Sequence, residues 1–242
     1  MSVKLLLLDI ETAPSLGYVW GKYDQNVIEF KESWFILSFA WKWLGEKEVS
    51  VRALCDYKSY IKDRSNDKPL LADLWKLLDE ADIIIAHNGD AFDVKRINAR
   101  LVLHGFPPPS TYKTVDTLKI ARRNFKFDSA ALKDLAVYFN VGEKLPHQGF
   151  KTWKGCMEGD KTAWEVMKEY NQRDITILER IYLLLRPWGA HPDLRLYSGT
   201  GCPTCGSLKI QRRGLMHLKT RSYQRLNCQG CGSWFKGDYV KK

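Results

Sequence analysis

KLLLLDIETA, running from Lys4 to Ala13, is an apolar run that closes on two acids, Asp9 and Glu11. A continuous apolar run from Lys4 to Ile10 suits a strand buried on both faces in the middle of a sheet. Side chains alternate along a strand, so Asp9 and Glu11, two apart, share one face at its carboxyl end. Outward from this strand, Ser33 to Leu44 and Glu48 to Cys55 are rich in aromatic and β-branched residues and are joined by Gly45-Glu46-Lys47, which predicts a hairpin. A helical pattern follows from Leu70 to Asp79, then a short apolar strand Ile83 to Ala86, then a helix from Phe92 to His104 that stops at Gly105 and Pro107-Pro108-Pro109. A strand near Thr114 to Thr117 leads to helices near Leu118 to Asn124 and near Ser129 to Phe139, the latter capped by Asp128 or Ser129. Asp160 to Leu185 reads as one long helix with Ala163, Val166, Met167, Tyr170, Ile177, Leu178 and Ile181 at core-facing spacings. Strands first and then alternating strands and helices describe an α/β fold, a mixed sheet flanked by helices. Ligands of such sheets bind at the carboxyl ends of the parallel strands.

The acids gather at those ends. Asp93 stands in Asn88-Gly-Asp-Ala-Phe92-Asp93, just past Ile83 to Ala86, and Tyr170 and Asp174 are four apart on the long helix and so face one side. Four carboxylates without nearby His or Cys suit Mg²⁺ or Mn²⁺ and not zinc. They would repel one another unless cations were bound, and the economical expectation is a two-metal site for phosphodiester hydrolysis. An aromatic core residue on an amphipathic helix is the plain alternative for Tyr170.

Asp9-Ile-Glu11, Asn88-x3-Phe92-Asp93 and Tyr170-x3-Asp174 resemble, in order and spacing, the three exonuclease motifs of the DnaQ-like superfamily with the RNase H-like fold. The tyrosine in the third motif resembles the DEDDy branch, which includes proofreading domains of family B DNA polymerases. The resemblance covers residues 1 to 185 and is closest in kind to stand-alone nucleases, often from phages, that end in a zinc ribbon. It implies a 3′-to-5′ exonuclease using two Mg²⁺ or Mn²⁺ ions. Asp9 would bridge both, Asp174 and Glu11 would hold the nucleophile-side ion, and Asp93 would serve the leaving-group side, partly through water. Tyr170, as a phenol with a pKa of roughly 10, would orient the attacking water and not deprotonate it. Thr12 and Ala13 would hold the 3′-terminal nucleotide, Asn88 would touch metal-bound water or nucleotide, and Phe92 would pack beneath the site. Tyr18, Trp20 and Tyr23, in the insertion from Pro14 to Glu32, would either stack on bases or pack in the core. Asp116 would be at most a supporting acid, and His87 and His147 hydrogen-bonded structural residues.

Charge and cysteines set the C-terminal part of the chain apart. The 242 residues carry 38 Lys and Arg against 28 Asp and Glu, but residues 195–242 hold ten of those cations and one acid, leaving residues 1–194 at +1. A near-neutral body with a +9 tail favours a polyanionic partner, a nucleic acid before an anionic membrane. Two of the six cysteines, Cys55 and Cys156, are isolated, whereas Cys202-x2-Cys205 and Cys228-x2-Cys231 are paired, and both pairs continue Gly-Ser. Such pairs read as a four-thiolate Zn²⁺ site, with two disulfides in a secreted protein as the alternative. His217, between the pairs, is then an ordinary residue of a basic face. Arg212, Arg213, Lys219, Arg221 and Arg225, interleaved with Tyr223 and followed by Trp234, would bind phosphates and stack on bases.

The expected organisation is a nuclease domain at 1–186, a linker at 187–200 marked by Pro and Gly, and a basic zinc-ribbon module at 201–242. No apolar run approaches the roughly 20 residues of a membrane span, and no secretory leader is evident, so a cytoplasmic protein is expected, in the host if phage-encoded. Single-stranded DNA or frayed DNA 3′ ends are the expected substrate. An RNA exonuclease or structure-specific nuclease on the same fold, and a non-catalytic nucleic-acid-binding protein, stand as alternatives.

Overall fold

A computed structural model describes residues 3–23, 25–142 and 149–240; His147 lies outside them. Strand β1 (Leu5–Thr12) is the centre of a five-stranded sheet of order β5-β4-β1-β6-β7. It pairs antiparallel with β4 (Ile36–Trp43), which pairs antiparallel with β5 (Ser50–Ala53), and it runs parallel to β6 (Ile83–Ala86), which runs parallel to β7 (Lys113–Asp116). The expected hairpin and parallel strands are therefore present, and the fold is the mixed α/β architecture read from the sequence.

Alternation along β1 divides the core. Leu6, Leu8 and Ile10 pack with Leu70, Leu71 and Leu74 of α1 (Lys68–Glu80) and Ile97 of α2 (Asp93–Leu103). Leu7, on the opposite face, packs with Ile120 and Ala121 of α3 (Thr117–Asn124), Leu135 of α4 (Leu132–Tyr138) and Ile181 of α6 (Lys161–Leu185). Asp9 and Glu11 have the parity of Leu7 and so share the face that α6 covers. That long helix is capped by Asp160, whose carboxylate accepts from the amides of Thr162 and Ala163.

Helix α4 begins at Leu132, three residues later than expected, and neither Asp128 nor Ser129 caps it. The Ser129 hydroxyl donates to Asp134 at 2.5 Å and accepts from the Ala131 amide at 3.3 Å, ahead of the helix, leaving Ala131 at the cap position. Three elements lacked a periodic signal long enough to read. They are the hairpin of β2 (Leu16–Tyr18) and β3 (Glu29–Glu32), helix α5 (Phe150–Glu158), and the C-terminal antiparallel sheet of β8 (Ile210–His217), β9 (Ser222–Cys228) and β10 (Trp234–Val240). Tyr18, Trp20 and Tyr23 are 56%, 90% and 75% exposed on the first of these, which removes the core-packing alternative for them. Between body and C-terminal sheet, Arg195–Ser198 forms one helical turn, α7. No helix among the described residues is long and apolar enough to cross a membrane.

Candidate active site

Strand β1 outruns its parallel neighbour. The β1–β6 pairing ends at Leu7–Ile85, so Ile10 has no strand beside it on that side, and its amide N–H donates to Asp93 Oδ1 at 3.1 Å. Asp93 is the first residue of α2 and is buried, so it lies against the end of β1 because it satisfies that orphan donor. From the other side α6 brings Tyr170, Asn171 and Asp174 over Asp9 and Glu11. Carboxylate oxygens of Asp9, Glu11 and Asp174 lie within 4.8 Å of one another.

This clustering is costly without a cation. The Asp9 carboxyl is held well above the usual carboxylate range, first by burial and then by the charges of Asp93, Glu11 and Asp174. Burial also raises Asp93 to about 7, with Asp116 adding to it and the Ile10 amide opposing it. Tyr170 is 8% exposed, its ring edge-on to Trp153 at 5.9 Å. Its phenol is pushed above its ordinary value by burial, by the charges of Asp174 and Glu11, and by a hydrogen bond with Asp174. Hard oxygen donors packed this closely, with Asp9 and Asp93 raised chiefly by burial, fit a divalent metal ion.

Asn171 was not legible as a site residue. It is fully buried, and its Nδ2 donates to Asp9 Oδ2 at 2.6 Å while its Oδ1 accepts from Ser38 Oγ at 3.0 Å. The amide therefore fixes which way the Asp9 carboxylate points. Its only sequence signal is a polar residue in the inward-facing stripe of α6.

The remaining residues sort by position. Thr12 and Ala13 line a cavity of about 410 Å³ that adjoins the acids, together with Trp34, Arg96, Phe150 and Trp153. Phe92 is partly buried against the core on the α1 and α2 side of the sheet. Asn88 adopts a left-handed backbone, φ 65°, and its N–H donates to Asp116 Oδ1 at 2.9 Å. Asp116 also caps α3 by accepting from Leu118 and Lys119, so it is occupied in holding the two loops together. His87 Nδ1 bonds Thr117 Oγ1 at 2.9 Å, a structural role.

The four paired cysteines form a second cluster, with one sulfur from each within 4.8 Å of the others. Both pairs make the same turn. Gly206 N donates to Cys202 O and Gly232 N to Cys228 O, with Gly206 and Gly232 at φ +74° and +83°, a region that favours glycine. Thr204 N and Gly230 N point at Cys202 Sγ and Cys228 Sγ. None of the four is joined in a disulfide, and the four sulfurs converge as one group and not as two separate pairs. Burial would raise Cys228, but the amides of Cys231 and Gly230 outweigh it and bring the thiol down to about 7, while burial raises Cys202 and Cys205. Four thiols so close, with Cys228 lowered by amide donors and Cys202 and Cys205 raised by burial, fit a site that sheds protons to a bound cation.

On β9 and β10 the alternation gathers Tyr223, Arg225, Trp234, Lys236 and Tyr239 on one face. Arg225 lies over Trp234 at 5.3 Å, Lys236 over Tyr223 at 5.1 Å, and Tyr223 meets Tyr239 edge-on at 5.9 Å. Lys236 and Tyr239 thus extend the expected basic and aromatic set. Arg212 pairs with Leu226 across β8 and β9, on the opposite face, and Lys219 and Arg221 sit in or beside the exposed turn between them. Arg213 is exposed and His217 bonds Ser222 Oγ, as a surface residue would.

Comparison with known proteins follows the same division. No curated protein sequence matches the chain. The fold is similar to that of a family B DNA polymerase from the hyperthermophilic archaeon Pyrobaculum calidifontis, at 15% identity and a TM-score of 0.50, over 93% of this chain and 32% of the polymerase. The chain thus spans about a third of that polymerase's length. A family model of the RNase H superfamily matches residues 6–186, the span that contains the sheet, its helices and every acid of the cluster. The chain belongs to the RNase H superfamily.

Proposed function

We propose that the protein is a divalent-metal-dependent 3′-to-5′ exonuclease that hydrolyses single-stranded DNA or frayed DNA 3′ ends, with residues 1–186 as the nuclease domain and residues 201–242 as a zinc-held nucleic-acid handle. The observation that carries this reading is the convergence of Asp9, Glu11 and Asp174 within 4.8 Å in a chain whose three motifs follow the DEDDy order. Asp9, Glu11 and Asp174 would hold Mg²⁺ or Mn²⁺, with Asp93 beside Asp9. Bound divalent ions supply charge that activates water and neutralises phosphate oxygens.

The chain's own residues do the rest. Tyr170 stays protonated because burial and two carboxylates raise it, so it orients the attacking water through its hydroxyl and leaves proton removal to other groups. Asn171 keeps Asp9 turned toward its neighbours. Thr12 and Ala13 line the cavity where the terminal nucleotide lies, and Asn88 and Phe92 support the loop above Asp93. In the C-terminal module Cys202, Cys205, Cys228 and Cys231 would hold Zn²⁺, and Arg225, Tyr223 and Trp234 would meet the strand, with Arg212, Arg213, Lys219 and Arg221 adding charge.

The test uses DNA and RNA single strands labelled at the 5′ end, incubated with protein in Mg²⁺, Mn²⁺ or EDTA. A metal-dependent ladder shortening one nucleotide at a time on DNA is expected. Discrete internal cuts would replace the exonuclease reading with an endonuclease, a ladder on RNA alone would move the substrate class, and a mobility shift without cutting would leave only binding.

A further inference from the structure

The cavity beside the acids holds a cation that the proposed chemistry does not use. Its volume of about 410 Å³ lies within the range of small-ligand sites, roughly 300–1,000 Å³. It opens at Thr12, the residue after Glu11, and its wall includes Trp153, which packs on Tyr170. Into it faces Arg96, on α2 one turn after Asp93. The guanidinium carbon lies 4.5 Å from the ring centre of Trp34 and 4.6 Å from that of Phe92, and Nη1 donates to Thr12 Oγ1 at 3.2 Å. Among the described residues no carboxylate pairs with it.

The neighbouring Arg100 shows what this position lacks. Arg100, one turn along the same helix, is bound by Asp67 through Nε and Nη2 at 2.7 and 2.6 Å and is spent as a structural ion pair. Arg96 has two aromatic rings and one hydroxyl instead. A guanidinium carries five donors in a rigid planar fork, and rings that hold the plane in advance lower the entropy lost when the fork binds. Its donor edge matches paired acceptors, either O6 and N7 of a guanine or two oxygens of a phosphate.

We infer that Arg96 is a specificity-determining residue of this cavity, donating to paired acceptors of the terminal nucleotide while Trp34 and Phe150 offer the base an apolar surface. The choice of a nucleotide as ligand rests on the nuclease reading. Kinetics of the full chain with Arg96→Met and Arg96→Lys test it, on strands ending in deoxyguanosine or in an abasic residue. Arg96→Met raises KM at least tenfold, the scale of a lost charge-assisted hydrogen bond, with the smaller effect on kcat. Arg96→Lys recovers part of the loss because it keeps the charge without the fork. A penalty that vanishes on the abasic end assigns the acceptor to the base, and one that persists assigns it to the sugar–phosphate. Equal KM for wild type and Arg96→Met, or a loss confined to kcat, overturns the inference.

Tryptophan fluorescence on titration with deoxyguanosine monophosphate gives a second readout that needs no turnover, and a Kd equal in wild type and Arg96→Lys also counts against the fork. Nucleotide binding through Arg96 in a protein that cuts neither DNA nor RNA would keep this inference and end the nuclease reading. Cleavage with a KM and a nucleotide Kd indifferent to Arg96 would do the reverse.

Discussion

At the scale of single residues, the candidate site is a set of repulsions held in place by a few neutral donors. The Asn171 amide ties Asp9 to Ser38, and removing it leaves a buried hydroxyl and a carboxylate without their partner. Asn171→Leu should lower stability by about 1–3 kcal/mol and raise the Mg²⁺ concentration for half-maximal cleavage. A variant with unchanged metal dependence would show that Asp9 needs no such support. Tyr170→Phe should slow cleavage by roughly five- to tenfold, the worth of one hydrogen bond, without changing the pH at which rate rises, since the phenol does not titrate in range. Asp93 carries a pH signature of its own. With its pKa raised to about 7, the folded metal-free protein binds a proton that the unfolded chain releases near its ordinary value of 3.8. Stability from this group is thus present at low pH and lost as pH rises toward 7. Asp93→Asn should therefore be more stable than wild type above pH 7 in EDTA, by a few kcal/mol at most, and thermal melts at pH 5 and pH 8 measure the difference. A variant no more stable at pH 8 than at pH 5, relative to wild type, would contradict this.

At the scale of elements, what was legible depended on length and period. The run Ile83 to Ala86 is bounded as expected because a buried strand between helices has sharp compositional edges, and α6 was readable because its apolar stripe repeats over many turns. The β2–β3 hairpin was not, since it exposes Tyr18, Trp20 and Phe30 where a soluble element normally hides them. Helix α4 starts late because the Ser129 hydroxyl accepts from the Ala131 amide, outside the helix, and not from an amide of the first turn, a local choice that composition does not decide. Three of the four expected acids, Asp9, Glu11 and Asp174, come together because strand parity and helix spacing are strict, whereas Asp93, at the start of α2, is outside that group and bonds the Ile10 amide. Asn171 and Arg96 were missed because their meaning lies in contacts across 162 and 84 residues of chain. The two cysteine turns were readable as a repeat, and the element they hold makes its own prediction. Cys228→Ser, or a strong zinc chelator, should unfold β8–β10 while leaving the five-stranded sheet intact. Elemental analysis should find one zinc per chain in wild type and in Asp174→Ala; zinc lost with Asp174 would contradict separate metal sites.

For the whole molecule, the charge is divided unevenly, and the proposed function assigns cutting to one part and holding to the other. The body carries +1 with its acids clustered, and residues 195–242 carry +9 with Tyr223, Arg225, Trp234 and Lys236 on one face. Deleting residues 195–242 should weaken binding to single-stranded DNA and flatten its salt dependence by roughly 0.7 in log–log slope for each phosphate that the protein no longer neutralises, while slow metal-dependent cleavage persists. Unchanged affinity in a filter-binding salt titration would assign the C-terminal sheet to another partner. The measurement closest to the central claim is metal-dependent release of mononucleotides from a 5′-labelled DNA strand by wild type and Asp174→Ala, side by side. Wild type should shorten the strand stepwise in Mg²⁺ or Mn²⁺ and stop in EDTA, and Asp174→Ala should lose roughly a thousandfold or more in rate. Digestion by Asp174→Ala at the wild-type rate would contradict the assignment of the active site to this cluster.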